Sequence, residues 1–114
     1  MVEVKLPAPV KATLAESHDQ LRSIPGAIQY TTFYGEPDDA PPTGLLHSCP
    51  CGCGLLGSVA FRRLTPDAPG PLWSWDGNKE TPTISPSIGF YGHNKISDGY
   101  HWHGFLQAGF FNQA

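Results

Sequence analysis

The sequence predicts a mainly β domain, a small antiparallel sheet or partial barrel, with a short N-terminal arm that has room for one helix. Three observations carry this expectation. The 114-residue chain holds 13 glycines and 12 prolines, so turn signals recur too often for long helices. Lys, Arg, Asp and Glu make up only 15% of it, too few for a charged helical surface or a coiled coil. From Gly44 onward, apolar residues sit in short runs separated by turn residues, as half-buried strands do.

Taken in order, Val2, Val4 and Leu6 alternate like a short strand until Pro7 and Pro9 interrupt them. Lys11 to Ser23 reads as a weak helix, with Leu14, His18 and Leu21 on one side and a stop at Pro25-Gly26. Ala27 to Tyr34 is rich in β-branched and aromatic residues and reads as a strand. Residues 36–42, with three prolines and two aspartates, form a loop. Residues 1–43 are thus expected to be an arm and loop, and residues 44–114 the β domain, the whole making one globular unit. Within that domain, Gly44–Ser48 and Leu55–Leu64 flank a cysteine turn, and Leu72–Trp75 runs into the tight turn Asp76-Gly77-Asn78. Thr83–Tyr91 and Tyr100–Leu106 follow as strands, and Gln107-Ala108-Gly109 turns the chain into Phe110-Phe111.

Several functional classes are disfavoured. Seven basic against ten acidic residues, with no basic cluster beyond Arg62-Arg63, give no footprint for nucleic acid. No apolar run approaches the length of a membrane span. Met1-Val2-Glu3-Val4-Lys5 lacks the apolar centre of a secretory signal, so a cytoplasmic location is expected.

The chemistry concentrates in two places. All three cysteines lie in Cys49-Pro50-Cys51-Gly52-Cys53-Gly54. Cysteines two apart close only strained disulfide rings, and an odd count is a poor disulfide framework. A thiolate cluster in a Pro/Gly turn instead suits Zn²⁺, which takes four ligands in a tetrahedron. The fourth is sought among five histidines. His18 reads as a solvated surface residue, His93 as a turn residue, and His47, two before Cys49, as an outside candidate. His101 and His103 stand two apart in a strand, share a face, and so can approach one locality.

The second place is Thr81-Pro82-Thr83-Ile84-Ser85-Pro86-Ser87-Ile88. Two prolines four apart mark a sheet edge, a bulge or a site loop. Ser85 and Ser87 either satisfy backbone groups at that bend or supply a nucleophile to a nearby histidine. If Thr83–Tyr91 and Tyr100–Leu106 pair as antiparallel neighbours, Ser87 falls opposite His103 and Ser85 opposite Phe105.

The ordered series Cys49-Pro50-Cys51-Gly52-Cys53-Gly54, Trp73-Ser74-Trp75-Asp76-Gly77-Asn78, Pro82-Thr83-Ile84-Ser85-Pro86-Ser87-Ile88 and His101-Trp102-His103-Gly104 with Gly109 resembles the domain-of-unknown-function family 6527. The resemblance covers about residues 44–111. Members occur in phages and bacteria, and some lie beside bacterial ubiquitin-like conjugation genes. For those members the expected role is a peptidase that trims or removes the modifier. Relatives carry a His six residues before a Gly, as His103 precedes Gly109, and a Cys just upstream of that His. Here His101 stands near that Cys position, so the resemblance implies Cys49, Cys51, Cys53 and His101 as ligands of a structural Zn²⁺ and leaves His103 free as a general base for Ser87 or Ser85.

The implied function is a zinc-stabilised serine hydrolase or peptidase acting on a protein or peptide, such as a ubiquitin-like modifier, in a bacterial cell or a phage-infected host. Asp76 and Asp98 are candidates to orient His103. A non-enzymatic zinc-stapled module, with Trp73, Trp75, Tyr91 or Phe111 as its contact surface, is the alternative. A third reading makes both His101 and His103 ligands of a catalytic zinc with Glu80 as base. The Ser–His distance separates the first two readings.

Overall fold

The computed structural model describes residues 4–37, 39–91 and 99–114. Among them, strands dominate: β1 (Val10–Lys11), β2 (Thr13–Leu14), β3 (Ala27–Thr31), β4 (Gly44–Ser48), β5 (Leu56–Ala60), β6 (Ser74–Trp75), β7 (Ile84–Ser85), β8 (Ile88–Tyr91), β9 (Tyr100–Gln107) and β10 (Phe110–Gln113). One helix, α1, spans His18–Ser23. The expected mainly β class holds, with small sheets in which every pair is antiparallel except β2–β3.

The first four-stranded sheet has the order β1-β10-β9-β8, and the second β2-β3-β4-β5. Between them, Ile28 and Leu45 of the second sheet meet Ile88, Phe90, Trp102, Leu106 and Phe111 of the first in one buried cluster. Along β9 the pattern explains itself: Trp102, Gly104 and Leu106 are buried, while His101 and His103, which alternate with them, are only half-buried. One face of β9 therefore serves the core, and the other carries the two imidazoles. β6 and β7 form a separate ribbon.

The expected helix over Lys11–Ser23 is shortened to its last six residues. Backbone donors upstream are engaged elsewhere: Ala12 N–H donates to Gly109 O, Thr13 N–H to Gly26 O, and Ala15 N–H to Ile28 O. Val10 and Thr13 are β-branched and favour this extended pairing. The helix begins where Ser17 caps it by accepting from Gln20 N–H at 3.2 Å. Gly26, with φ +73°, then turns the chain into β3, and a Cβ there would crowd Val10 and the Lys11 carbonyl.

The expected strand over Thr83–Tyr91 is split. Its first part, β7, pairs with β6 through Ser74 opposite Ser85, and its second part, β8, pairs with β9. A cis Ser85–Pro86 peptide lies at the break. The β8–β9 register differs by two residues from the expected one: Gly89, not Ser87, stands opposite His103. The β9–β10 hairpin closes through Ala108 and Gly109, both at positive φ. Thr83 Oγ1 and the Pro82 carbonyl accept that turn's N–H groups at 2.8 and 2.9 Å, which ties the proline-rich segment to the end of β9. His93 and Asp98 lie outside the described residues. Among the described residues, no helix is long and apolar enough to cross a membrane.

Candidate active site and metal centre

The cysteine turn joins β4 to β5. Cys49 N–H donates to Leu55 O at 2.9 Å and closes the loop, and Gly52 N–H donates to Cys49 O at 3.1 Å. Gly52 and Gly54 take φ values of +86° and +87°, a region L side chains avoid, and so curl the turn back on itself. His101, near the start of β9, reaches this turn from the other sheet.

The four donor atoms of Cys49, Cys51, Cys53 and His101 lie within 4.8 Å of one another. Cys51 Sγ is 3.3 Å from Cys49 Sγ and 3.1 Å from His101 Nε2. A tetrahedral ion with bonds of about 2.3 Å to sulfur has ligand–ligand edges of roughly 3.5–3.8 Å, and this group is of that size. All three cysteines are free thiols, with Cys49 buried, Cys51 half-buried and Cys53 exposed. Burial pushes the Cys49 and Cys51 thiols upward, so they stay protonated unless a cation compensates. The donor set is therefore one that a metal ion completes. His47 and His103 are not in the group, and Glu80 sits in the β6–β7 turn with its N–H donated to Asn78 Oδ1. The reading with His103 on a catalytic zinc has no geometric support.

On the same face of β9, His103 Nε2 stands 2.9 Å from Ser87 Oγ. Because Gly89 opposes His103 and has no side chain, Ser87 makes the contact diagonally from just before β8. Trp73 Nε1–H donates to the Ser87 carbonyl at 3.2 Å and holds that backbone in place. The His103 carbonyl accepts from Ala114 N–H at 3.0 Å. Ser85, by contrast, is exposed on β7 in the separate ribbon. The structure thus brings Ser87 rather than Ser85 to His103. Asp76 lies in the β6–β7 turn, where its Oδ1 accepts from Asn78 N–H at 3.0 Å.

Ser87 also lines a cavity of about 250 Å³ whose other walls include His47, Gly57, Val59, Trp73 and Ile88. His47 is 2% exposed, and burial pulls its pKa down to about 4, so it is neutral near pH 7. Cysteine spacing brings His47 to notice only as a metal candidate. The signal for this other position is its parity: in Leu45-Leu46-His47 it shares the core-facing side with Leu45. The aromatics weighed as a contact surface are largely packed instead. Phe111 is buried, and Trp73 and Trp75 are half-buried against the core.

A mainly β fold thus presents a serine hydroxyl to an imidazole, beside a separate Cys₃His group that could hold a metal ion. The model of the family described as the bacterial ubiquitination-like system serine protease, BubE, matches residues 20–114. The chain belongs to that family. The match begins within α1, well upstream of the region that carries the motif resemblance. No curated protein and no solved structure gives a match.

Proposed function

We propose that the chain is a serine peptidase that cleaves the acyl bond joining a ubiquitin-like modifier to its extension or target. Ser87 is the nucleophile and His103 the general base. The 2.9 Å contact between Ser87 Oγ and His103 Nε2 carries this reading, and the family's description supports it. With Nε2 unprotonated, the Ser87 hydroxyl donates to it. As Oγ bonds to the acyl carbon, its proton passes to Nε2. The bond to the leaving group then breaks, and that group departs with the proton. Water, deprotonated by the same imidazole, hydrolyses the acyl-enzyme and restores Ser87.

Cys49, Cys51, Cys53 and His101 would hold a structural Zn²⁺. Four protein ligands close its coordination and leave no position for substrate, so what it supplies is a crosslink between the β4–β5 turn and β9. The two histidines are thereby divided between two tasks.

The test is cleavage of a fusion between a bacterial ubiquitin-like modifier and a C-terminal reporter. Wild-type protein should release the reporter, and Ser87→Ala should not. Release by Ser87→Ala at the wild-type rate would overturn the assignment.

A further inference from the structure

His47 is the fourth residue of β4 and lines the same cavity as Ser87. Its ring is packed edge-on against Phe90, with centroids 5.0 Å apart. Among the described residues neither Nδ1 nor Nε2 has a hydrogen-bond partner, and both atoms are buried. Such pairs of orphaned polar atoms are rare in folded cores, because desolvation without a partner is unfavourable. Phe or Leu would fill this space without that penalty.

The neighbouring strand makes room for the ring. Gly57 pairs with His47 across β4–β5, and a Cβ at Gly57 would come within 2.5 Å of His47 Cε1. The imidazole edge lies over that glycine, and the residue is among those that line the cavity. The remaining wall is mixed, with Val59, Ile88 and Trp73 beside Ser58, Ser87 and Tyr91. A neutral imidazole offers one donor and one acceptor, and a peptide group offers the complement, a carbonyl oxygen and an N–H.

We propose that His47 is a substrate-binding residue that hydrogen-bonds the main-chain peptide group of the acyl-side residue entering the cavity beside Ser87. The ligand class is an extended polypeptide read through its backbone. This rests on the serine-hydrolase reading above, because the cavity belongs to the acyl side only if Ser87 is acylated.

Two esters separate the possibilities. p-Nitrophenyl acetate delivers only an acetyl group to Ser87, whereas the p-nitrophenyl ester of N-acetyl-alanine places a peptide group on the acyl side. His47→Phe should lower kcat/KM for the alanine ester about tenfold, the size of one hydrogen bond, chiefly through KM. It should leave the acetate within about twofold. His47→Gln, which keeps a donor and an acceptor, should recover part of the loss. Equal effects on both esters, or none on either, would overturn the role of His47. If wild-type protein hydrolyses neither ester, the serine-hydrolase reading is what fails. Should His47→Phe not fold, wild-type protein labelled with ¹⁵N-histidine decides the question. The His47 ring resonances should shift on adding an N-acetyl-alanine-derived boronic acid and not on adding methylboronic acid. Unchanged resonances with both would contradict the proposal.

Discussion

His101 and His103 stand two residues apart on one face of β9, yet they serve regions of different construction. His101 completes a cluster whose other three members lie within five consecutive residues of a single turn. His103 meets Ser87, which is delivered by a different strand after a broken segment. The first region is assembled locally and draws a single ligand, His101, from a distant strand. The second is long-range throughout, and depends on the β8–β9 register and on Trp73 holding the Ser87 carbonyl. One strand thus joins the proposed metal staple to the proposed catalytic pair, and the two are expected to fail separately.

The largest effect should follow from breaking the local region. Chelation, or Cys49→Ser, should unfold the domain, since a structural site in a small fold contributes on the order of 10 kcal/mol. Circular dichroism with elemental analysis checks this, and about one metal ion per chain is the expected content. His101→Ala should lose the metal with the fold. His103→Ala should instead keep both and lose on the order of 10³-fold in turnover, as removal of a catalytic imidazole does. Identical behaviour of the two variants would erase the distinction.

A smaller effect is expected at Gly57. Gly57→Ala drives a methyl group into the His47 ring, which is held by Phe90 and cannot swing away freely. Overpacking of this kind costs about 1–3 kcal/mol, seen as a lower urea midpoint with metal content unchanged.

The smallest effect is expected at the Arg62–Glu36 ion pair. Arg62 Nη2 contacts both Glu36 oxygens, at 2.6 and 2.8 Å, and this hydrogen bonding holds the Glu36 carboxyl below its ordinary range. A folded-state pKa below the unfolded one adds stability above the unfolded value, and that stability is lost as pH falls through the folded one. Glu36→Gln should therefore lower Tm slightly at neutral pH, and the difference should vanish below the carboxylate range. A gap that persists or widens in acid would contradict this sign.

The contrast along β9 also explains what was legible in the sequence. Cys49, Cys51 and Cys53 announce themselves because the proximity that makes a site is already present in their spacing. Strand parity put His101 and His103 on one face, as found. The register between β8 and β9 was not legible, because Pro86 falls between the two serines and a two-residue slip keeps the same faces. Ser87 still reaches His103 because the slip turns a direct pair into a diagonal one. The separation of Ser85 from Ser87 arises from β7 pairing with β6, a choice between partners that neither segment's own residues reveal. The helix was overread for the same reason. Residues 10–15 have moderate helical periodicity, but their N–H groups find acceptors in Gly26, Ile28 and Gly109. His47 stands out in the sequence only as an outside metal candidate two before Cys49, and its place on the core side of β4 beside Leu45 is a finding of the structure.

The central claim is that Ser87 is activated by His103. Labelling with a fluorophosphonate, followed by peptide mapping in a mass spectrometer, tests it most directly. A single phosphonylated residue, Ser87, is expected in wild-type protein, and no labelling in folded, metal-loaded His103→Ala. A label on Ser85, or labelling of Ser87 that is unchanged when His103 is removed, would contradict it.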